Sequence, residues 1–119
     1  MDLTDVSIPA GILEIGSYAF WNCMRLVSVV IPEGITKIEE RTFEACMSLR
    51  SVRIPEGVRE IGEKAFFGCI ELTGEVIPES VEKIGADAFG NCENLIIRAA
   101  VGSAAEQYAR ESGARFELV

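Results

Sequence analysis

The 119-residue sequence has no histidine, one tryptophan, four prolines and four cysteines, and it sets 11 basic residues against 19 acidic ones. Without histidine, the commonest general base and the commonest transition-metal ligand are missing, so Ser-His-Asp and Cys-His catalysis and histidine-rich zinc sites are excluded. The shortage of cations leaves a net charge of −8. That balance argues against nucleic acid and anionic membrane surfaces as main partners, because both need clustered positive charge. The apolar run Leu26 to Pro32 is far shorter than the ~20 residues of a spanning helix, so no membrane insertion is expected. The opening MDLTDVSIPAGILEIG has neither a basic leader nor a continuous apolar stretch, so the chain as it stands reads as cytosolic, without a signal peptide. With 49% hydrophobic residues, one packed domain is expected.

What is present is periodic. Every proline (Pro9, Pro32, Pro55, Pro78) and every cysteine (Cys23, Cys46, Cys69, Cys92) recurs at a step of 23, as do Leu3, Leu26, Leu49, Leu72 and Leu95, and Phe20, Phe43, Phe66 and Phe89. Four units follow, 3–25, 26–48, 49–71 and 72–94, with a closing segment 95–119 in the same domain.

Each part of a unit has a physical role. Leu26, Val29 and Ile31, with β-branched neighbours, predict a short strand with one inward stripe. In Ile31-Pro32-Glu33-Gly34, proline second and glycine fourth favour a type I turn, and Ser80 in place of the glycine implies that positive φ is not required there. Ile35 and Ile38 form a second apolar pair. A helical or 3₁₀ turn over Arg41 to Cys46 would then point Phe43 and Cys46 inward. One coil cannot bury its own apolar side chains, so the units must stack into a solenoid of parallel strands. The column Glu14, Lys37, Glu60, Lys83 alternates in sign and supports that stacking; Glu33, Glu56 and Glu79 form a like-charged column without the dense oxygen cage that calcium prefers.

The unit L-x-x-V-x-I-P-E-G-[VI]-x-x-I-x-x-x-[AT]-F-x-x-C, over residues 3 to 94, resembles the leucine-rich repeat of the bacterial surface-antigen type, called BspA-like. The tail VGSAAEQYARESGARFELV resembles the helical cap that closes many such proteins. The resemblance implies a right-handed leucine-rich-repeat solenoid that binds a protein or glycan ligand, commonly on a secreted or cell-surface adhesin. It implies no cofactor and names no ligand.

The cap also follows from its own residues. Ser103 with Glu106 three residues later is a capping box, and Gly113 suits the stop, which predicts a helix from Ala104 to Ser112 with Ala105, Tyr108 and Ala109 inward. Phe116, Leu118 and Val119 would add a last strand. At the opposite end Leu3, Val6, Ile8 and Ile12 begin a coil with no coil before it in this sequence, an apolar edge that could pair two copies into a homodimer.

Four cysteines invite a disulfide or zinc reading, but in a ladder they would stand ~4.8 Å apart, beyond the usual Cβ separation of about 3.5–4.5 Å for a bridge, and a line cannot converge on one tetrahedral point. Reduced, buried thiols are expected. Neighbouring Glu39 and Glu40 lack any accompanying nucleophile or oxyanion donor, so no catalytic site is expected. The candidate ligand face is the outward side of the strands, comprising Val27, Ser28, Val30, Arg50, Ser51, Arg53 and Thr73, where Arg50 and Arg53 give local positive charge. A second candidate interface is aromatic, Tyr18, Trp21 and Phe67, on the turn side. In the fourth unit Glu75 occupies an inward valine position. A bulge at Gly74 that turns Glu75 outward and lets Val76 or Ile77 fill the core is the expected remedy.

Overall fold

Alternating burial sets the strands. Leu26, Val29 and Ile31, then Leu49, Val52 and Ile54, are buried, while Val30 and Arg53 between them are exposed. The computed structural model describes residues 5–7 and 15–119. Its elements are β1 (Asp5–Ser7), β2 (Ser28–Val30), β3 (Lys37–Ile38), β4 (Ser51–Arg53), β5 (Glu60–Ile61), β6 (Gly74–Val76), β7 (Lys83–Ile84), β8 (Ile96–Ala99), α1 (Ala104–Ser112) and β9 (Phe116–Leu118). All strand pairs are parallel, in the orders β1-β2-β4, β3-β5-β7 and β6-β8-β9. The chain is therefore a leucine-rich-repeat solenoid, each coil too thin to have a core until its neighbours cover it.

The register steps by 23 residues from Ser28 to Ser51 and from Lys37 to Glu60, but by 22 from Gly74 to Ile96. Lys37 and Glu60 of the alternating column approach to 3.4 Å, and Glu60 is in register with Lys83. Glu14 lies outside the described residues, as do Leu3, Ile8 and Ile12 of the N-terminal edge; of Val6 only the backbone, paired in β1, is described.

Two turns differ from expectation. The proline turn closes one residue later than expected, with the N–H of Ile35 donating to Pro32 O and that of Val58 to Pro55 O at 3.4 Å. This puts Gly34 and Gly57 third, at φ 99° and 105°, the region a type II turn requires. Ser80 does without positive φ, and its hydroxyl instead joins Gly57 N and Val58 O.

The segment Arg41 to Cys46 is not helical. Its N–H groups alternate, those of Thr42, Glu44 and Cys46 bonding three residues back, and those of Arg41, Phe43 and Ala45 donating to Glu63, Ala65 and Phe67 of the next coil. The alternation puts Arg41 and Ala45 at φ 56° and 62°. Such non-glycine strain costs on the order of 1–3 kcal/mol per residue and persists because every second amide is bound across the stack. Phe43 and Cys46 still turn inward, fully buried.

Phe20, Phe43, Phe66 and Phe89 stack with centroids 5.2–5.3 Å apart and planes within 6°. Three of the four thiols donate to a phenylalanine carbonyl 26 residues earlier, Cys46 to Phe20, Cys69 to Phe43 and Cys92 to Phe66, at 3.1–3.2 Å. The coils approach so closely that a Cβ on Gly85 would lie 2.5 Å from Glu63 N.

The cap forms as its residues predict. Ser103 Oγ accepts from Glu106 N, Glu106 Oε1 accepts from Gly102 N, and Gly113 ends α1 at φ 79°. Tyr108 finishes the aromatic stack edge-on at 5.9 Å from Phe89, and its hydroxyl accepts the Phe89 N–H at 3.0 Å, the bond a further coil would otherwise take.

The predicted bulge is absent. Glu75 lies inward, 8% exposed, in the valine position of the earlier coils, and Val76 is 54% exposed. The buried Leu72 and Ile77 on either side fix the register, and shifting one residue would expose them both. The accommodation lies elsewhere, in the ladder, where β4 and β6 belong to different sheets.

Candidate functional site

The outward faces of β2, β4, β6, β8 and β9 form one surface. Register places Val30 beside Arg53, Val76 beside Arg98, and Arg98 beside Glu117, whose carboxylate it meets at 3.5 Å. Ser28 pairs with Ser51, while Val27, Arg50 and Thr73 lie just before the strands, with Arg50 N donating to Val27 O at 2.8 Å. Arg50 and Arg53 are exposed and, among the described residues, form no ion pair. The structure thus brings the seven strand-face candidates together and adds Val76 and Arg98. Of the two residues expected to fill the core beside an outward Glu75, Ile77 is buried and Val76 is outward.

Between β4 and β6 the wall opens into a cleft of about 420 Å³, lined by Arg53 and Val76 from the outward face and by Glu75 beneath. Glu75 Oε1 accepts from Val52 N at 3.4 Å in place of a backbone carbonyl. Burial pushes the carboxyl pKa up to about 7, and the Val52 hydrogen bond only partly offsets this.

On the turn side, Trp21 and Phe67 line one cleft of about 460 Å³, with Met47 and Ile70 between them. Tyr18 is edge-on to Trp21 at 6.5 Å, and both are half exposed. Trp21 Nε1 donates to Glu44 Oε1 at 3.1 Å, the same carboxylate that Arg41 holds, and Lys64 sits over the Phe67 ring at 5.3 Å.

The remaining reactive groups are committed to the fold. Burial raises all four thiol pKa values, those of Cys46 and Cys92 to about 12, which suppresses the thiolate needed for nucleophilic attack or metal ligation. Glu39 faces Lys37 at 3.5 Å. Among the described residues no group of three His, Cys, Asp or Glu side chains is placed to hold a metal ion.

The family profile described as "BspA type Leucine rich repeat region (6 copies)" matches residues 1–99. The chain belongs to the BspA-type leucine-rich-repeat family. Solved leucine-rich-repeat structures agree in fold. A leucine-rich repeat protein from Bacteroides ovatus is 37% identical with a TM-score of 0.77, covering 83% of this chain and 25% of its own. A leucine rich cell surface protein from Faecalibacterium prausnitzii is 40% identical with a TM-score of 0.67, covering 70% and 22%. The leucine-rich repeat protein of T. pallidum is 28% identical with a TM-score of 0.61, covering 80% and 58%. The chain therefore spans about a quarter of the length of the first two of these proteins. A search of curated proteins finds no match. No catalytic family is among the matches.

Proposed function

We propose that this chain is a non-enzymatic, adhesin-like binding module of a cell-surface protein, with its ligand, a protein or glycan, on the strand face. One observation carries the reading: Arg50 and Arg53, unpaired and exposed in a protein of net charge −8, stand beside the exposed apolar Val30 and Val76. Two fixed cations next to an apolar patch suit an acidic partner group with an aliphatic or aromatic body. The cell-surface description of the Faecalibacterium neighbour supports the location.

The test is a screen of immobilised protein against glycan and surface-protein arrays, repeated with the double variant Arg50→Ala, Arg53→Ala. The expected result is at least a tenfold loss for every ligand found, and an unchanged ligand profile overturns the reading. The Trp21 and Phe67 cleft is a second proposed contact surface, tested by whether bound ligand protects Trp21 fluorescence from iodide.

A second reading is pairing between copies at β1, favoured because β1 is an outer strand of the sheet β1-β2-β4 among the described residues. Light scattering across a dilution series decides it: twice the 13.0 kDa chain mass supports pairing, and 13.0 kDa removes it.

A further inference from the structure

Among the described residues the strand wall is interrupted once, where their one inward carboxylate stands. On either side of the gap the rungs are regular: Arg50 N donates to Val27 O and Ile31 N to Arg53 O before it, and Ile96 N donates to Thr73 O and Ile77 N to Arg98 O after it. The equivalent rungs between β4 and β6, Thr73 to Arg50 and Ile54 to Val76, are not made. Glu75 fills the place held by Val29 and Val52 in the preceding coils and by Ile97 in the next. Of the two buried polar residues among those described, Thr42 is satisfied by the Glu39 and Gly16 carbonyls, whereas Glu75 has one long bond to Val52 N and no cation. A buried carboxylate without a counter-ion costs stability, and it has replaced a residue that costs none.

The cleft above it opens on the strand face, and its walls are aliphatic: Val52, Ile54, Pro55, Val76 and Pro78. Arg53 and the loop carboxylates Glu33 and Glu56 complete the lining. Arg98 of β8 lies over Gly74 but is drawn toward Glu117. A negative floor under an apolar shaft selects a cation on an aliphatic stem. A divalent metal lacks ligands, since it would need six or more oxygens. A guanidinium fork is less well matched, because it takes both carboxylate oxygens and one lone pair of Oε1 is already used by Val52 N. A compact ammonium needs only one carboxylate oxygen, with the carbonyl of Val76, free of its rung, for a further donor.

We propose that the β4–β6 cleft is a lysine-binding site, in which Glu75 receives the side-chain ammonium of a protein partner and the aliphatic walls hold its stem. The proposal rests on the strand face being the binding surface, and the two fail separately, because the probe below reads the cleft alone. The charged groups that face Glu75 are Arg53 from β4, Glu33 and Glu56 from the proline loops and Arg98 from β8. The net field at the mouth is therefore mixed, and the selection comes from the floor.

The experiment follows the Glu75 side-chain carboxyl by carbon NMR in the whole chain during titration with Nα-acetyl-lysine N-methylamide. At saturation the Glu75 titration midpoint is expected to fall by about one pH unit, because an adjacent cation favours the charged form. Glu75→Gln should reduce affinity at least tenfold. Glu75→Val should abolish binding while raising the melting temperature, which separates lost recognition from lost fold. Three results would overturn the proposal: no movement of the Glu75 resonance, retained binding in Glu75→Gln, or equal binding of the Nε-acetylated probe. An arginine probe, or alanine N-methylamide with its free terminal amine, that binds as tightly as the lysine probe would overturn the assignment to a lysine side chain.

Discussion

The two walls of each coil are made from the same repeat, yet one is continuous and the other is broken. On the phenylalanine side, ring stacking, thiol-to-carbonyl bonds and coil-to-coil amides run without interruption from Phe20 to Tyr108. On the strand side, the ladder stops between β4 and β6 and resumes after them. Composition at one position accounts for the difference. All four phenylalanine rungs keep their residue type, whereas the strand rung Val29, Val52 is followed by Glu75, whose carboxylate takes the Val52 N–H that a backbone carbonyl would have held. A solenoid tolerates this because neighbouring coils are coupled through both walls, and β5 and β7 stay paired opposite the gap.

The largest test removes a rung from the continuous wall. Phe66→Ala, in the middle of the stack and fully buried, should cost about 3–5 kcal/mol in urea unfolding, because the rings above and below cannot close the void. Repairing the broken wall should have the opposite sign. The folded-state pKa of Glu75, about 7, lies above its ordinary 4.5, so its penalty is absent below pH 4.5 and grows as pH rises through 7. Glu75→Val should therefore stabilise by on the order of 3 kcal/mol at pH 8 and by much less at pH 4.5, as read by thermal melts at the two pH values. Gly85→Ala should cost about 1–3 kcal/mol, since its Cβ meets the Glu63 backbone, and chemical denaturation reads it directly. Tyr108→Phe keeps the edge-on ring but leaves the Phe89 N–H without its acceptor, an expected loss of about 1 kcal/mol in the same assay. Lys37→Ala, at the exposed pair with Glu60, should leave the melting temperature unchanged in 0.5 M salt, as expected for a surface ion pair.

What could be read from the sequence was whatever repeats or caps. The step of 23 identified the inward leucines, phenylalanines and cysteines, and Ser103, Glu106 and Gly113 fixed both ends of α1, because capping groups act on the amides next to them. The turns were less legible. Tyr18, Asn22, Arg41, Ala45 and Lys64 all adopt positive φ without being glycine, since the bonds that hold them come from the adjacent coil and leave no mark in local sequence. Glu75 was misread because its polarity was weighed above the burial of Leu72 and Ile77, which pin the register from both sides. The strand face was visible as alternating positions. The cleft within it was not, because a missing rung is a relation between two strands that neither sequence encodes alone.

Native-state amide hydrogen exchange tests the contrast between the walls most directly. The Phe43 and Phe66 amides, bonded to Ala65 and Ala88 in the next coil, should exchange only on global unfolding, while Ile54 and Thr73 at the gap should exchange orders of magnitude faster. Equal protection of all four amides would show that the strand ladder is closed in solution, and would contradict the account.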